Sequence, residues 1–411
     1  MNKEKNMALP QSEQMLLEAI KAAVRNERTA WPEPVSDEDL TALFSLAQAQ
    51  KLLPAVFTAV CGCESVRKYA GYDALKKQTA RQIALQAQKT VDFLTLFDAM
   101  KAAGFHPLVV KGLVCRSLWP TPDLRISSDE DLLIPEEEFL PCCGWLQDCG
   151  LYPISAYTEQ DFEVGWRSKS SPVFIELHRT FFAPDSGALR DLNLFFSDAH
   201  QNAELCPTEN GVQLPSLCPR EHLLYCLLHA YKHFIHSGFG LRQVCDIGLL
   251  ARQYAEKIDW QQLYSDCEQA GILLFAAAVF QIARREFEIR WNLPEVWTAI
   301  TADHQPMLRD LIAGGVYGSS DPSRLHSACV TLHTAEAGRS GILHAVFPPK
   351  KNLTGRYPVL NRHPALLPFI WVDRLAKYGS ECAKGRAGSV RGSLQIAAQR
   401  EALLRQYGLL P

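Results

Sequence analysis

Asp129 and Asp131 stand one residue apart at the head of an apolar run, Leu132-Leu133-Ile134. In an extended segment side chains alternate between faces, so the two aspartates share one face and Glu130 points to the other. Two carboxylates held side by side repel each other, and a divalent cation between them relieves that repulsion. Hard oxygen ligands of this kind suit Mg²⁺, with Mn²⁺ as the nearest alternative. A third acid, Glu176, sits inside another apolar run, residues 173–178. Phe174 and His178 fall on its face, while Val173, Ile175 and Leu177 fill the opposite one. An acid in the middle of an apolar strand is costly unless it is paired or metal-bound. The expectation is that Asp129, Asp131 and Glu176 converge on one edge of a sheet, where they hold metal and take part in catalysis.

The elements that must position these acids can be read around them. Residues 106–110 are short, β-branched and apolar, which predicts a buried strand ending at Lys111-Gly112. A long helix is expected over 73–103, stopped by Gly104. The acidic strand is expected over 125–134, followed by a helix over 136–149 and its stop at Gly150. Residues 162–166 and 172–178 read as the two strands of a hairpin. Residues 11–60 carry helical stripes, Leu16, Leu17 and Ile20 and then Leu40, Leu43, Phe44 and Ala47. From 219 to 286 the pattern is helical again, with Leu223, Leu224, Leu227 and Leu228 on one face. The fold class expected is α/β (α+β): an N-terminal helical region at 1–84, a small mixed-sheet core at 85–215, a helical domain bordering the cleft at 216–300, and a basic C-terminal region at 301–411.

Taken in order, three segments carry a family resemblance: Val109-Val110-Lys111-Gly112, Arg125-Ile-Ser-Ser-Asp129-Glu-Asp131-Leu-Leu-Ile134 and Ile175-Glu176-Leu177-His178. Leu228-His229, Lys232-His233, Leu241-Arg242-Gln-Val-Cys-Asp246-Ile and Ile258-Asp259-Trp260 extend it. The chain resembles the nucleotidyltransferase superfamily related to DNA polymerase β. More closely, it is similar to an uncharacterised nucleotidyltransferase family of bacterial proteins. The resemblance implies transfer of an NMP group from an NTP such as ATP to a hydroxyl acceptor, with release of pyrophosphate. The acceptor could be a small molecule, a protein or RNA. It further implies that Asp129 and Asp131 bind two Mg²⁺ (or Mn²⁺) ions and that Glu176 completes the second site or acts as general base. Lys111 and Gly112 are then expected beside the phosphates, Arg125 either beside them or in a salt bridge to a nearby acid, and His229, Lys232 and His233 along the nucleotide cleft.

Two departures stand out. The superfamily usually has Gly-Ser or Gly-Gly after the first strand, where this chain has Lys111-Gly112-Leu113. Gly112 could still admit backbone N–H groups to phosphate, with Lys111 adding charge. The residue between the aspartates is usually apolar, whereas here it is Glu130, an acid on the face that should be packed. These departures keep open a catalytically silent nucleotide-binding or adaptor protein on the same fold. A toxin-like nucleotidyltransferase acting on tRNA is a further alternative.

Bulk properties exclude little. The 411 residues are 47% hydrophobic and 21% charged with a net charge of −3, ordinary for a folded protein. From Gly341 onward, eleven Lys/Arg face three Asp/Glu, a basic tail that could meet nucleic acid or a solvated surface. Thirteen irregularly spaced cysteines and a polar start to the chain read as a reduced, cytoplasmic setting. No apolar run is long enough to span a membrane. His222, His229, His233 and His236 cluster on a helical segment, with His229 and His233 four apart on one face. A polar lining, a nucleotide contact and a zinc site are all compatible with that spacing. Arg242 and Asp246, also four apart, are expected to form an intrahelical ion pair. Gly238-Phe-Gly240 reads as a loop, and residues 385–393 as a flexible basic linker.

Overall fold

The computed structural model describes residues 9–29, 31, 33–183, 191–208, 211–236, 238–316, 347–350, 353, 357, 359–383 and 390–409. Helices α1 (Gln11–Val24), α2 (Asp37–Ala49), α3 (Leu53–Val60) and α4 (Glu64–Lys68) come first. Ser36 caps α2 by accepting the Asp39 N–H through its hydroxyl. Helix α5 (Tyr72–Ala102) is long and runs through position 84, where the helical region was expected to end. Then come β1 (Leu108–Val110), α6 (Gly112–Ser117), β2 (Glu130–Leu133), α7 (Glu136–Asp148), β3 (Leu151–Pro153), β4 (Glu163–Ser168) and β5 (Phe174–His178). A small hairpin of β6 (Glu204–Pro207) and β7 (Gln213–Ser216) leads to α8 (Pro219–His236), α9 (Leu241–Gln253), α10 (Trp260–Ala270) and α11 (Leu273–Arg285). The described part of the C-terminal region is helical at Val359–Arg362, Leu367–Ala383 and Val390–Gln406. Residues 385–389 of the expected basic linker lie outside the described residues, and 390–393 open the last of these helices. No helix among the described residues is long and apolar enough to cross a membrane.

The fold is α+β. Five strands form one mixed sheet in the order β1-β2-β5-β4-β3, in which β2 and β5 run parallel and the other neighbours antiparallel. The period-2 alternation read from the sequence splits this sheet cleanly. Val109, Leu132, Val164, Trp166, Ile175 and Leu177 face one core, against Phe93, Phe97 and Met100 of α5 and Phe139, Cys142 and Leu146 of α7. Leu108, Val110 and Leu133 join a second core built from α1–α3 and α8–α11. Asp131, Glu176 and His178 share this second face, at the boundary with α8.

The expected strand over 125–134 is shorter than predicted. Pro122–Leu124 forms a 3-10 turn, and pairing starts at Glu130. Asp129 therefore lies just before the strand, on a half-buried approach segment. Glu130 also departs from expectation. It is neither solvated nor out of place, since it is 5% exposed and fully engaged. Its Oε1 accepts from Arg116 Nη1 at 3.0 Å, and its Oε2 accepts the Leu113 N–H at 2.6 Å. Arg116, itself buried, also donates to Ser127 Oγ at 2.6 Å and Thr90 Oγ1 at 3.3 Å. The carboxylate thus sits at the start of α6 and ties β2 to it. Gly112 is required by the same contact: its φ is +24°, and a Cβ there would lie 2.0 Å from Glu130 Oε2.

Arg116→Met removes one partner of this buried pair and leaves Glu130 charged and unpaired. It should cost about 3–5 kcal/mol in urea denaturation. An unchanged midpoint and slope would show that the pair is not an organising contact.

Candidate active site

The site grows from the parallel register of β2 and β5, which sets Asp131 directly beside Glu176 and Leu133 beside His178. Asp131 is buried and forms an ion pair with Lys111, whose Nζ lies 2.8 Å from Oδ2. Burial alone would raise the Asp131 carboxyl. Lys111 and then His178 outweigh that effect and hold it well below the usual carboxylate range. Glu176 has no such partner at close range. Burial, then the like charges of Asp131, Asp129 and Glu163, push its carboxyl up to about 8. The two adjacent carboxylates are thus driven in opposite directions.

Three residues offer ligand atoms within 4.8 Å of one another: Asp131, Glu176 and His178. Asp129, expected in that tight group, instead lines the same cleft from the approach segment. The segment is held by cations from three helical regions. Lys51, just past α2, donates to Ser128 Oγ at 2.8 Å. Lys89 of α5 donates to the Ser127 carbonyl at 3.1 Å. Arg242 of α9 donates to the Ile126 carbonyl. Burial pulls both lysines below the ordinary value. None of these three basic contacts was anticipated, because each arises between segments far apart in sequence.

The cleft holds about 410 Å³. Asp129, Asp131, Glu163, Glu176 and His178 line one wall, and Tyr225, His229, Lys232 and His233 of α8 line another. Lys111 bridges the walls, with its Nζ 3.1 Å from His229 Nε2. Burial, then Lys111 and His233, hold His229 well below the ordinary histidine value, so its ring is neutral and accepts from the ammonium. His229 and His233 approach to 3.3 Å. His222 lies behind the wall, buried, and its Nε2 accepts the Lys111 N–H at 3.0 Å. The side chain of His236 lies outside the described residues.

Lys111 adopts φ 60°, a backbone conformation that favours glycine, so the turn after β1 is strained in order to aim this lysine. The turn itself departs from expectation. The Lys111 N–H goes to His222 and the Leu113 N–H to Glu130, so these amides do not face a phosphate, and Gly112 serves packing. Arg125 is a further correction. It is 2% exposed and locked in a fork with Asp246, Nη2 to Oδ2 at 2.6 Å and Nε to Oδ1 at 3.2 Å, and it does not line the cleft. Trp119 Nε1 donates to the same carboxylate at 2.8 Å. The intrahelical Arg242–Asp246 pair is accordingly replaced by this long-range one.

The residues present fit a divalent cation. The donor set is two carboxylates and an imidazole whose buried nitrogens make no hydrogen bond. Asp129 adds a further carboxylate on the same cleft. The sequence profile described as "uncharacterised nucleotidyltransferase" matches residues 36–288, a span that contains every cleft residue named above. No curated protein matches the chain.

The Glu176 shift has a stability consequence. Its folded value, about 8, lies above the ordinary 4.5, so the folded state keeps a proton that the unfolded chain gives up. This cost is absent below the ordinary value and grows until about pH 8. Glu176→Gln removes it. The metal-free variant should therefore melt higher than the wild type by a margin that widens from about pH 5 to pH 8. A margin that stays constant across that range would contradict the arrangement of charges described here.

Proposed function

The chain belongs to the uncharacterised nucleotidyltransferase family, and we propose that this nucleotidyltransferase moves an NMP group from an NTP to a hydroxyl acceptor, with divalent-metal dependence and release of pyrophosphate. The observation that carries this reading is the convergence of Asp129, Asp131 and Glu176 on one 410 Å³ cleft whose facing wall is basic. Asp129, Asp131 and Glu176 would hold Mg²⁺ or Mn²⁺. When bound, the cation supplies positive charge to the triphosphate and acidifies the acceptor hydroxyl.

The chain's own residues do the rest. Lys111, paired with Asp131 at the edge of the cleft, would turn its ammonium toward a phosphate oxygen of the nucleotide. Lys232 offers a second positive charge from α8, and the neutral His229 offers a ring nitrogen for a hydrogen bond, with His233 beside it. Glu176 would either complete the metal site or, once it has given up the proton that its neighbours favour, accept the acceptor's proton as the new oxygen–phosphorus bond forms at the α-phosphate. The bond from the α-phosphorus to the bridging oxygen breaks, and pyrophosphate leaves with the electron pair. Most of the acceleration in such a reaction comes from alignment and charge stabilisation. The approach segment held by Lys51, Lys89 and Arg242 keeps Asp129 fixed for that purpose. The 216–300 region is the proposed cleft-bordering domain, and the basic 301–411 region is a proposed contact for an RNA acceptor.

The test measures pyrophosphate release with each of the four NTPs and Mg²⁺ or Mn²⁺, adding small hydroxyl compounds, protein extract or tRNA as acceptor in separate arms. Asp129→Asn and Asp131→Asn should each lower turnover by at least about 100-fold, the scale of losing one electrostatic contact at a reacting centre. Turnover that survives in both variants, or that needs no metal, would overturn the reading.

A further inference from the structure

Glu163 stands opposite His178 in the β4–β5 register, just as Asp131 stands beside Glu176 in the β2–β5 register. His178 is therefore enclosed by three carboxylates. It is 3% exposed. Its Nε2 lies 3.5 Å from Asp131 Oδ1 and 3.9 Å from Glu176 Oε2, and its Nδ1 lies 3.7 Å from Glu163 Oε2. Among the described residues, neither ring nitrogen makes a hydrogen bond. Burying a polar atom without a partner is unfavourable, and here two such atoms are aimed at carboxylate oxygens just beyond bonding range. A cation shared by these atoms would satisfy the nitrogen and neutralise the carboxylates together. Nε2, Asp131 and Glu176 point at a common space, and the Nδ1 side faces a carboxylate. A histidine that binds metal through one nitrogen usually donates its other N–H to such a group, which fixes the tautomer and the ring.

We propose that His178 is a nitrogen ligand of the cation, oriented by Glu163, and that it makes this site prefer a first-row transition-metal dication to Mg²⁺. The proposal rests on reading this face as the metal edge of the nucleotidyltransferase and sharpens which ion it takes. Mg²⁺ favours oxygen donors and keeps its waters, whereas an imidazole raises affinity for the later divalent ions. Lys111 pairs with Asp131 through Oδ2, which leaves Oδ1 as the oxygen that faces His178.

Mn²⁺ is the probe. The full-length wild-type protein is titrated with Mn²⁺ and followed by electron paramagnetic resonance without nucleotide, then examined by pulsed methods that detect nitrogen bound to the ion. The expected result is a directly coordinated ¹⁴N signal that changes to ¹⁵N on histidine labelling. It should be lost in His178→Gln and kept in His229→Gln. His178→Gln should weaken Mn²⁺ binding by at least the ~10–100-fold typical of losing a supporting metal contact, with a smaller change for Mg²⁺. Glu163→Gln leaves Asp129, Asp131, Glu176 and His178 in place and should weaken Mn²⁺ binding while retaining the nitrogen signal.

Absence of coordinated nitrogen in the wild type overturns the proposal, and that spectrum does not depend on any variant folding. Loss of the signal in His229→Gln with retention in His178→Gln overturns it as well. The outcomes separate from those of the transfer reading. A nitrogen-coordinated ion without pyrophosphate release supports the site and contradicts the activity, and metal-dependent release without coordinated nitrogen does the reverse.

Discussion

The parallel pairing of β2 with β5 is the constraint on which the molecule's chemistry depends. It forces Asp131 and Glu176 into adjacent positions on one face of a sheet whose other face is apolar. Like charges so placed cannot both be comfortable. One is satisfied by Lys111 and driven far down, and the other is left with neighbouring carboxylates and driven up to about 8. The strain is local because the surroundings are rigid. Ile175 and Leu177 anchor β5 from below, and Leu132 does the same for β2. Removing the repulsion by moving a strand would expose that core, so the repulsion persists until a cation or a proton arrives.

Two buried ion pairs maintain this arrangement from behind. Glu130 with Arg116 fixes the start of α6 against β2, and Arg125 with Asp246 fixes the approach to Asp129 against α9. Neither pair lines the cleft. Each holds a charged group where an apolar residue would otherwise sit, and the Arg125 fork also fixes direction, since a guanidinium donates to both oxygens of a carboxylate in few geometries. The cleft carboxylates are thus positioned by other charged residues that do not line the cleft. Lys51, Lys89 and Arg242 complete the frame by holding the carbonyls and hydroxyl of residues 126–128.

Much of this was legible in the sequence where local pattern and chemical cost agree. Glu176 was identifiable because an acid alternating with Ile175 and Leu177 has no inexpensive structural excuse, and Asp131 because it enters an apolar strand. Helix α5 and the β4–β5 hairpin followed from periodicity and from Gly104 and a polar linker. What escaped notice depends on contacts over long separations. Glu130 looked like a misfit because its partner, Arg116, reveals itself only when α6 folds back. Arg125 was assigned to phosphate because Asp246 lies more than a hundred residues away, and Arg242 was paired with Asp246 for the same reason. The end of the strand at Glu130 was lost because Pro122 starts a turn whose exit is set by Lys89 and Arg242. His178 was placed on the right face, but nothing local signalled that Glu163 would stand opposite it.

Anomalous diffraction at the manganese edge from crystals soaked in Mn²⁺ tests the metal edge most directly, since it locates the ion without reference to turnover. The expected result is a peak coordinated by Asp131, Glu176 and His178 Nε2. A cleft with no peak, or an ion held elsewhere in the molecule, would contradict it.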